Sequence, residues 1–181
     1  MPIDYLRDFP VARVWVGDSI PAGGVLVLGE SWYGTYEGDL NFDDGYIRAY
    51  LAGAVIDRMY SKIAYAICDS KASSSKSAFW QRVAFTNFVQ CVGPTLGHRP
   101  TDEMYRAGQL RLEAILAALG PASVWILGEE QAKWSRPVVD SAGIVSEVCP
   151  HPSRRGVTTA MLRESWSRLG AKLPEDPPSS L

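Results

Sequence analysis

An α/β fold, with a central four-stranded parallel sheet as the middle layer of a three-layer α/β/α sandwich, is what three features of this sequence predict. Short apolar, partly β-branched runs alternate with stretches of helical periodicity along most of the chain. Two of those runs end alike, in Leu28-Gly29-Glu30 and Leu127-Gly128-Glu129, as buried parallel strands do when they deliver polar groups to a carboxyl-end crevice. With 181 residues, 46 % of them apolar, the chain can bury a sizeable core, and one domain is expected over 1–173.

Residues 1–24 read as an extended entry segment or a short strand that ends in the turn-prone Pro21-Ala22-Gly23-Gly24. The first strand of the sheet is expected over Val25-Leu26-Val27-Leu28. From 33 to 45 come Gly34, Gly38, Asn41 and Gly45 with Glu37, Asp39, Asp43 and Asp44, which read as an acidic loop above the sheet. Ile47, Leu51, Val55, Met59, Ile63 and Ile67 recur every fourth residue, so one long amphipathic helix is expected over 46–68. The Ser- and Lys-rich run 69–77 has little to bury and reads as a solvated loop.

A second strand follows over Val83 to Gln90, rich in aromatic and β-branched residues. Two glycines and two prolines make 93–100 irregular. Thr101 caps a helix with Asp102 and Glu103 in its first turn and a core stripe of Leu112, Ile115, Leu116 and Leu119, and Gly120-Pro121 stops it. Ser123 to Leu127 is the third strand, 129–139 a helix, and Ile144 to Cys149 the fourth strand. Thr158 or Thr159 caps a last helix reaching about residue 169, and the Pro/Ser-rich 174–181 reads as a disordered tail.

Composition narrows the function classes. A net charge of −2 gives no global electrostatic footprint for nucleic acid, so a claim of that kind has to come from the site. No run approaches the roughly 20 apolar residues of a membrane helix, and Met1-Pro2-Ile3-Asp4 does not begin a signal peptide, so a cytoplasmic location is expected. Cys68, Cys91 and Cys149 lie far apart without a C-x-x-C pair, which suggests free thiols, no disulfide framework and no metal site.

The predicted topology brings 30–33, 87–90, 128–129 and 151–155 to one rim. Glu30 can hold a water or stabilise a developing cation, and Asn87 offers both a donor and an acceptor. His151 can donate to a developing anion, and Ser153 with Arg154 and Arg155 can hold phosphate. Each alone has a plain structural account: a helix-entry acid, a strand-edge amide, a turn histidine between prolines.

Four segments in order resemble the uracil-DNA glycosylase superfamily, particularly its bacterial and archaeal family 4 branch. That branch has a strand ending in G-E-x-P-G, a strand T-N-x-V-K-C-R-P-P with a following R-x-P-T-x-x-E helix start, a strand ending in L-G, and H-P. Here these are Gly29-Glu30-Ser31-Trp32-Tyr33-Gly34, then Thr86-Asn87-Phe88-Val89-Gln90-Cys91-Val92-Gly93-Pro94 with Arg99-Pro100-Thr101-Asp102-Glu103, then Leu127-Gly128, then His151-Pro152-Ser153. The match spans most of 25–156.

The resemblance implies a uracil-DNA glycosylase-like fold and hydrolysis of the N-glycosidic bond of a uracil or other modified base flipped out of DNA, as in base-excision repair. It casts Glu30 and His151 as catalytic, Glu30 at the sugar cation or its attacking water and His151 at the base anion. Asn87 would read the base edge, Tyr33 would crowd the 5-position, and Phe42, or else Trp32 or Tyr36, would stack on the base. Ser153, Arg154 and Arg155 would press on the DNA backbone of a single- or double-stranded partner. Ser31 stands where the classical branch has an aspartate, and Trp32-Tyr33 replaces the family 4 proline. Cys91 matches one ligand of that branch's iron-sulfur cluster, but its other cysteines have no counterpart, so no cofactor is expected. Acids at 37, 39, 43 and 44 would repel phosphate if they faced DNA. Two other readings stay open: a glycosylase-fold protein without activity that binds nucleic acid or protein, and a hydrolase of free nucleosides or another small N-glycoside.

Overall fold

The computed structural model describes residues 14–20, 23–33, 42–93 and 99–171, without the side chains of 32, 33, 42, 91–93 and 171. The elements are β1 (Trp15–Val16), β2 (Val25–Tyr33), α1 (Phe42–Leu51), α2 (Arg58–Cys68), α3 (Ser73–Trp80) and β3 (Val83–Gly93), then α4 (Asp102–Leu119), β4 (Ser123–Leu127), α5 (Glu129–Ser141), β5 (Val145–Cys149) and α6 (Thr159–Ala171). The fold is α/β, with a five-stranded, mostly parallel sheet in the order β1-β3-β2-β4-β5. The four long strands run parallel, as expected, and β1 adds a fifth, antiparallel to β3, through Trp15 opposite Phe85. The sequence left that segment open between coil and strand. Trp15 settles it, being buried with its indole N–H donating to Trp80 O at 2.7 Å.

Alternation along the strands builds two cores, one per face. Val27, Phe85, Trp125 and Leu127 face Ile47 of α1, Ile63 of α2, Trp80 of α3 and Leu162 of α6. Leu26, Leu28, Val124 and Ile126 face Leu112 and Ile115 of α4 and Val139 of α5. All five residues of β4 are buried, which its unbroken apolar run requires of a central strand.

Three expectations are corrected. The helix over 46–68 is two helices. Gly53, at φ +78°, ends α1, and Asp57 caps α2 by accepting the Tyr60 N–H at 2.9 Å. The fourfold repeat survives because both pieces pack on one core, and Tyr46 Oη donating to Asp57 Oδ2 at 3.0 Å ties them together. The serine run expected as a loop contains α3, anchored by the buried Phe79 and Trp80 that follow it. Lastly, β2 does not end at Gly29: its pairing with β3 continues through Ser31 opposite Val89 to Tyr33 opposite Gly93.

The later elements fall where they were expected. Thr101 accepts the Met104 N–H at 3.3 Å, and Thr158 Oγ1 accepts that of Met161 at 3.2 Å, capping α4 and α6. Residues 1–13, 34–41, 94–98 and the expected tail at 174–181 lie outside the described residues. Among the described residues no helix is long and apolar enough to cross a membrane.

Candidate functional site

The strand order turns at β2, with β3 on one side and β4 then β5 on the other, which is where doubly wound sheets open a crevice at their carboxyl ends. One side chain ties that junction together. Gln131, in the first turn of α5, donates from Nε2 to Leu28 O and Leu127 O, each at 2.9 Å, joining the ends of β2 and β4.

Glu30, one residue beyond Gly29, lies on the face of α4 and α5. There Tyr105 Oη donates to Glu30 Oε1 at 3.2 Å, while the Tyr105 ring stacks on Trp134 with planes 9° apart. His151 follows β5 and lies beside Gly128. The Ser153 N–H donates to His151 Nδ1 at 3.3 Å, an arrangement that selects the neutral ring with its proton on Nε2. Burial holds the imidazole below its usual pKa; the Glu30 charge raises it and the Lys62 charge lowers it. Glu30 and His151 are thus electrostatically coupled. Lys62 of α2 also fixes the loop, donating from Nζ to Pro152 O at 2.7 Å and Val157 O at 2.6 Å.

A pH dependence follows. The unfolded chain binds a proton at His151 near the ordinary value of 6.5, whereas the folded chain holds it off to lower pH. Between those values the unfolded state carries more protons, so this contribution to stability is complete above pH 6.5 and is lost as pH falls toward the folded value. Denaturation midpoints of wild type and His151→Asn should converge on acidification through this window. Parallel curves would show that His151 is not held neutral. The buried acid described next has a raised pKa and gives the opposite slope, but it is common to both proteins.

Asn87 pairs with Gly29 across β3 and β2, and a Cβ at Gly29 would collide with Asn87 Oδ1. The side chain is 4 % exposed. Its Nδ2 donates to Asp43 Oδ1 at 3.2 Å and its backbone N–H to Asp43 Oδ2 at 3.3 Å. Asp43, expected in an acidic loop above the sheet, sits fully buried in the first turn of α1. It also receives Thr86 Oγ1 at 2.6 Å and Gln90 Nε2 at 3.2 Å. Arg111 of α4, 3 % exposed, donates from Nη2 to Thr86 Oγ1 at 2.9 Å and from Nη1 to Asn87 O at 3.2 Å. Burial pushes the Asp43 carboxyl up; Arg111 and the hydrogen bonds of Thr86, Gln90 and Asn87 pull it back, leaving it raised.

The expected residues therefore divide. Glu30 lies near enough for its charge to act on His151, and Ser153, Arg154 and Arg155 continue the histidine's loop as exposed residues. Arg154 pairs there with Glu129 at 3.1 Å. Asn87 shares the sheet face of Gly29, and strand alternation puts Glu30 on the other face. The backbones of Tyr33 and Phe42 belong to β2 and α1, but their side chains, like that of Trp32, lie outside the described residues, as does all of Tyr36. Ser31 Oγ is buried without a partner among the described residues. The sequence reading missed Asp43, Tyr105, Arg111, Gln131 and Lys62 as parts of this rim. Arg111 carried a signal: an arginine beside Leu112 and Ile115 on a core-facing helix needs a buried acidic or polar partner.

Among the described residues no cluster of three or more His, Cys, Asp or Glu could hold a metal ion. Cavities of about 570 Å³ between α4 and α5 and about 460 Å³ beside Val25 and Val83 both lie away from the rim. No family model and no curated protein matches the chain.

Proposed function

We propose that this protein is a DNA glycosylase-like hydrolase with a three-layer uracil-DNA glycosylase-like fold. Its substrate is uracil or another modified base flipped out of DNA, and its role is in base excision. The observation that carries the proposal is the coupling of a tyrosine-supported carboxylate, Glu30, to a histidine held neutral with its proton on Nε2. Breaking the C1′–N bond leaves a cationic sugar and an anionic base. Glu30 stabilises the sugar and takes the proton of the water that adds to C1′. His151 Nε2–H donates to the base oxygen on which negative charge collects.

Ser153, Arg154 and Arg155 supply donors for the DNA backbone. The exposed Arg154–Glu129 pair is weak enough for a phosphate to displace it. The acidic-loop objection to DNA also shrinks, since Asp43 is buried and Asp44 is paired with Arg48 at 2.8 Å.

A second reading, a glycosylase-fold module that binds nucleic acid or protein without catalysis, is favoured by Ser31 in place of an acid. One assay separates the two. Single- and double-stranded oligonucleotides carrying uracil, hypoxanthine, xanthine or 5-substituted pyrimidines are incubated with the protein and then treated with alkali. Strand breaks at the modified base are expected. Their absence on every substrate at high protein concentration would leave the binding module.

A further inference from the structure

We propose that Asp43 is a positioning residue that holds the Asn87 amide with its oxygen turned toward Gly29, so that the rim admits bases presenting a ring N–H and rejects those presenting a bare ring nitrogen. This rests on the glycosylase reading of the same rim. A planar amide can be placed two ways with almost the same shape, so something must select one. Here both Asp43 oxygens are surrounded by donors: Thr86 Oγ1, Gln90 Nε2, and the backbone N–H and Nδ2 of Asn87. Reversing the amide would set an oxygen against a carboxylate, and Arg111, reaching the same acid through Thr86, favours its charged form.

The chosen orientation leaves Asn87 Oδ1 over the bare Cα of Gly29, and among the described residues no hydrogen bond reaches it. A carbonyl acceptor on a nearly buried side chain, with no donor among the described residues, can take one from a ligand. Uracil, hypoxanthine and xanthine present a ring N–H next to a carbonyl. Cytosine and adenine present a lone pair at the same edge, which that oxygen repels. The class admitted is thus bases with a ring N–H beside a carbonyl, the deaminated bases among them along with thymine and guanine, and what the amide rejects is cytosine and adenine. Asp43 acts on this choice without touching the base.

The test has a ligand-free arm and a selectivity arm, both on the full chain. In the first, hydrogen exchange of the Asn87 Nδ2 protons is followed by ¹⁵N NMR in wild type and Asp43→Asn, the resonances being assigned by their loss in Asn87→Ser. At least one proton should be protected in wild type, and protection should fall about tenfold or more in Asp43→Asn. Exchange in wild type as fast as in an exposed asparagine, or equal protection in the two proteins, overturns the proposal whatever the protein catalyses. In the second arm, cleavage of uracil is compared with cleavage of cytosine in the same oligonucleotide. The uracil preference should drop about tenfold to a hundredfold in Asp43→Asn. An unchanged preference in a folded variant also overturns it. If wild type cleaves nothing, the glycosylase reading falls and with it the base selectivity, while the exchange arm still decides whether Asp43 orients Asn87. Should Asp43→Asn not fold, Asp43→Ser takes its place in both arms.

Discussion

Asp43→Ala lowers the free energy of unfolding by about 3–5 kcal/mol, because it strips one side from a buried charged network and leaves the other in place. Arg111, 3 % exposed, then keeps its charge with the nearby acid gone, and Thr86, Gln90 and Asn87 lose the acceptor of their donors. The intact network need not add much net stability, since burying the two charges is itself costly; the asymmetry lies in breaking it. Urea titration of the two proteins measures the difference. A loss below about 1 kcal/mol would mean that water replaces the carboxylate and that the site is wetter than its burial suggests. Arg111→Met in the Asp43→Ala background should recover part of the loss, because it removes the stranded charge.

Glu30→Gln slows cleavage by on the order of 10²-fold or more, as does His151→Ala, if each stabilises charge that appears only in the transition state. The glutamine keeps an oxygen to accept from Tyr105 Oη, so the rim should hold its shape and the melting temperature should barely move. Single-turnover rates under saturating protein separate this loss from weaker DNA binding. Unchanged rates in both variants would remove Glu30 and His151 from the chemistry while leaving the α/β fold as it stands.

The parallel strands and the later helices were legible because local signals and tertiary demands agree there. Thr101 and Gly120 bracket α4, and the run Ser123 to Leu127 is apolar enough to be β4 and nothing else. Between 42 and 80 the two conflict. A fourfold apolar repeat continues across Gly53 and Asp57, so periodicity argued for one helix where the turn and cap residues make two. The serines of α3 have weak helical preference of their own, and Phe79 and Trp80 supply by packing what they lack. At the rim, Glu30 and His151 could be placed from strand ends alone. The Asp43 network could not, because its members come from α1, β3 and α4 and meet only in three dimensions. An aspartate in an acid-rich segment reads as solvated until a buried partner is found for it.

The same network bears on self-association. Among the described residues β1 pairs with β3 at Phe85 and Ala84, and an edge strand with free backbone groups is in general a template for a strand from another molecule. At Asn87, side chains take that role: Asp43 accepts its backbone N–H, while Gln90 and Arg111 donate to its carbonyl at 2.6 and 3.2 Å. A second strand cannot pair there without displacing a buried carboxylate and a guanidinium together. Among the described residues, the polar cluster that holds Asn87 in place thereby also takes up the backbone groups that this strand would otherwise offer to a neighbour.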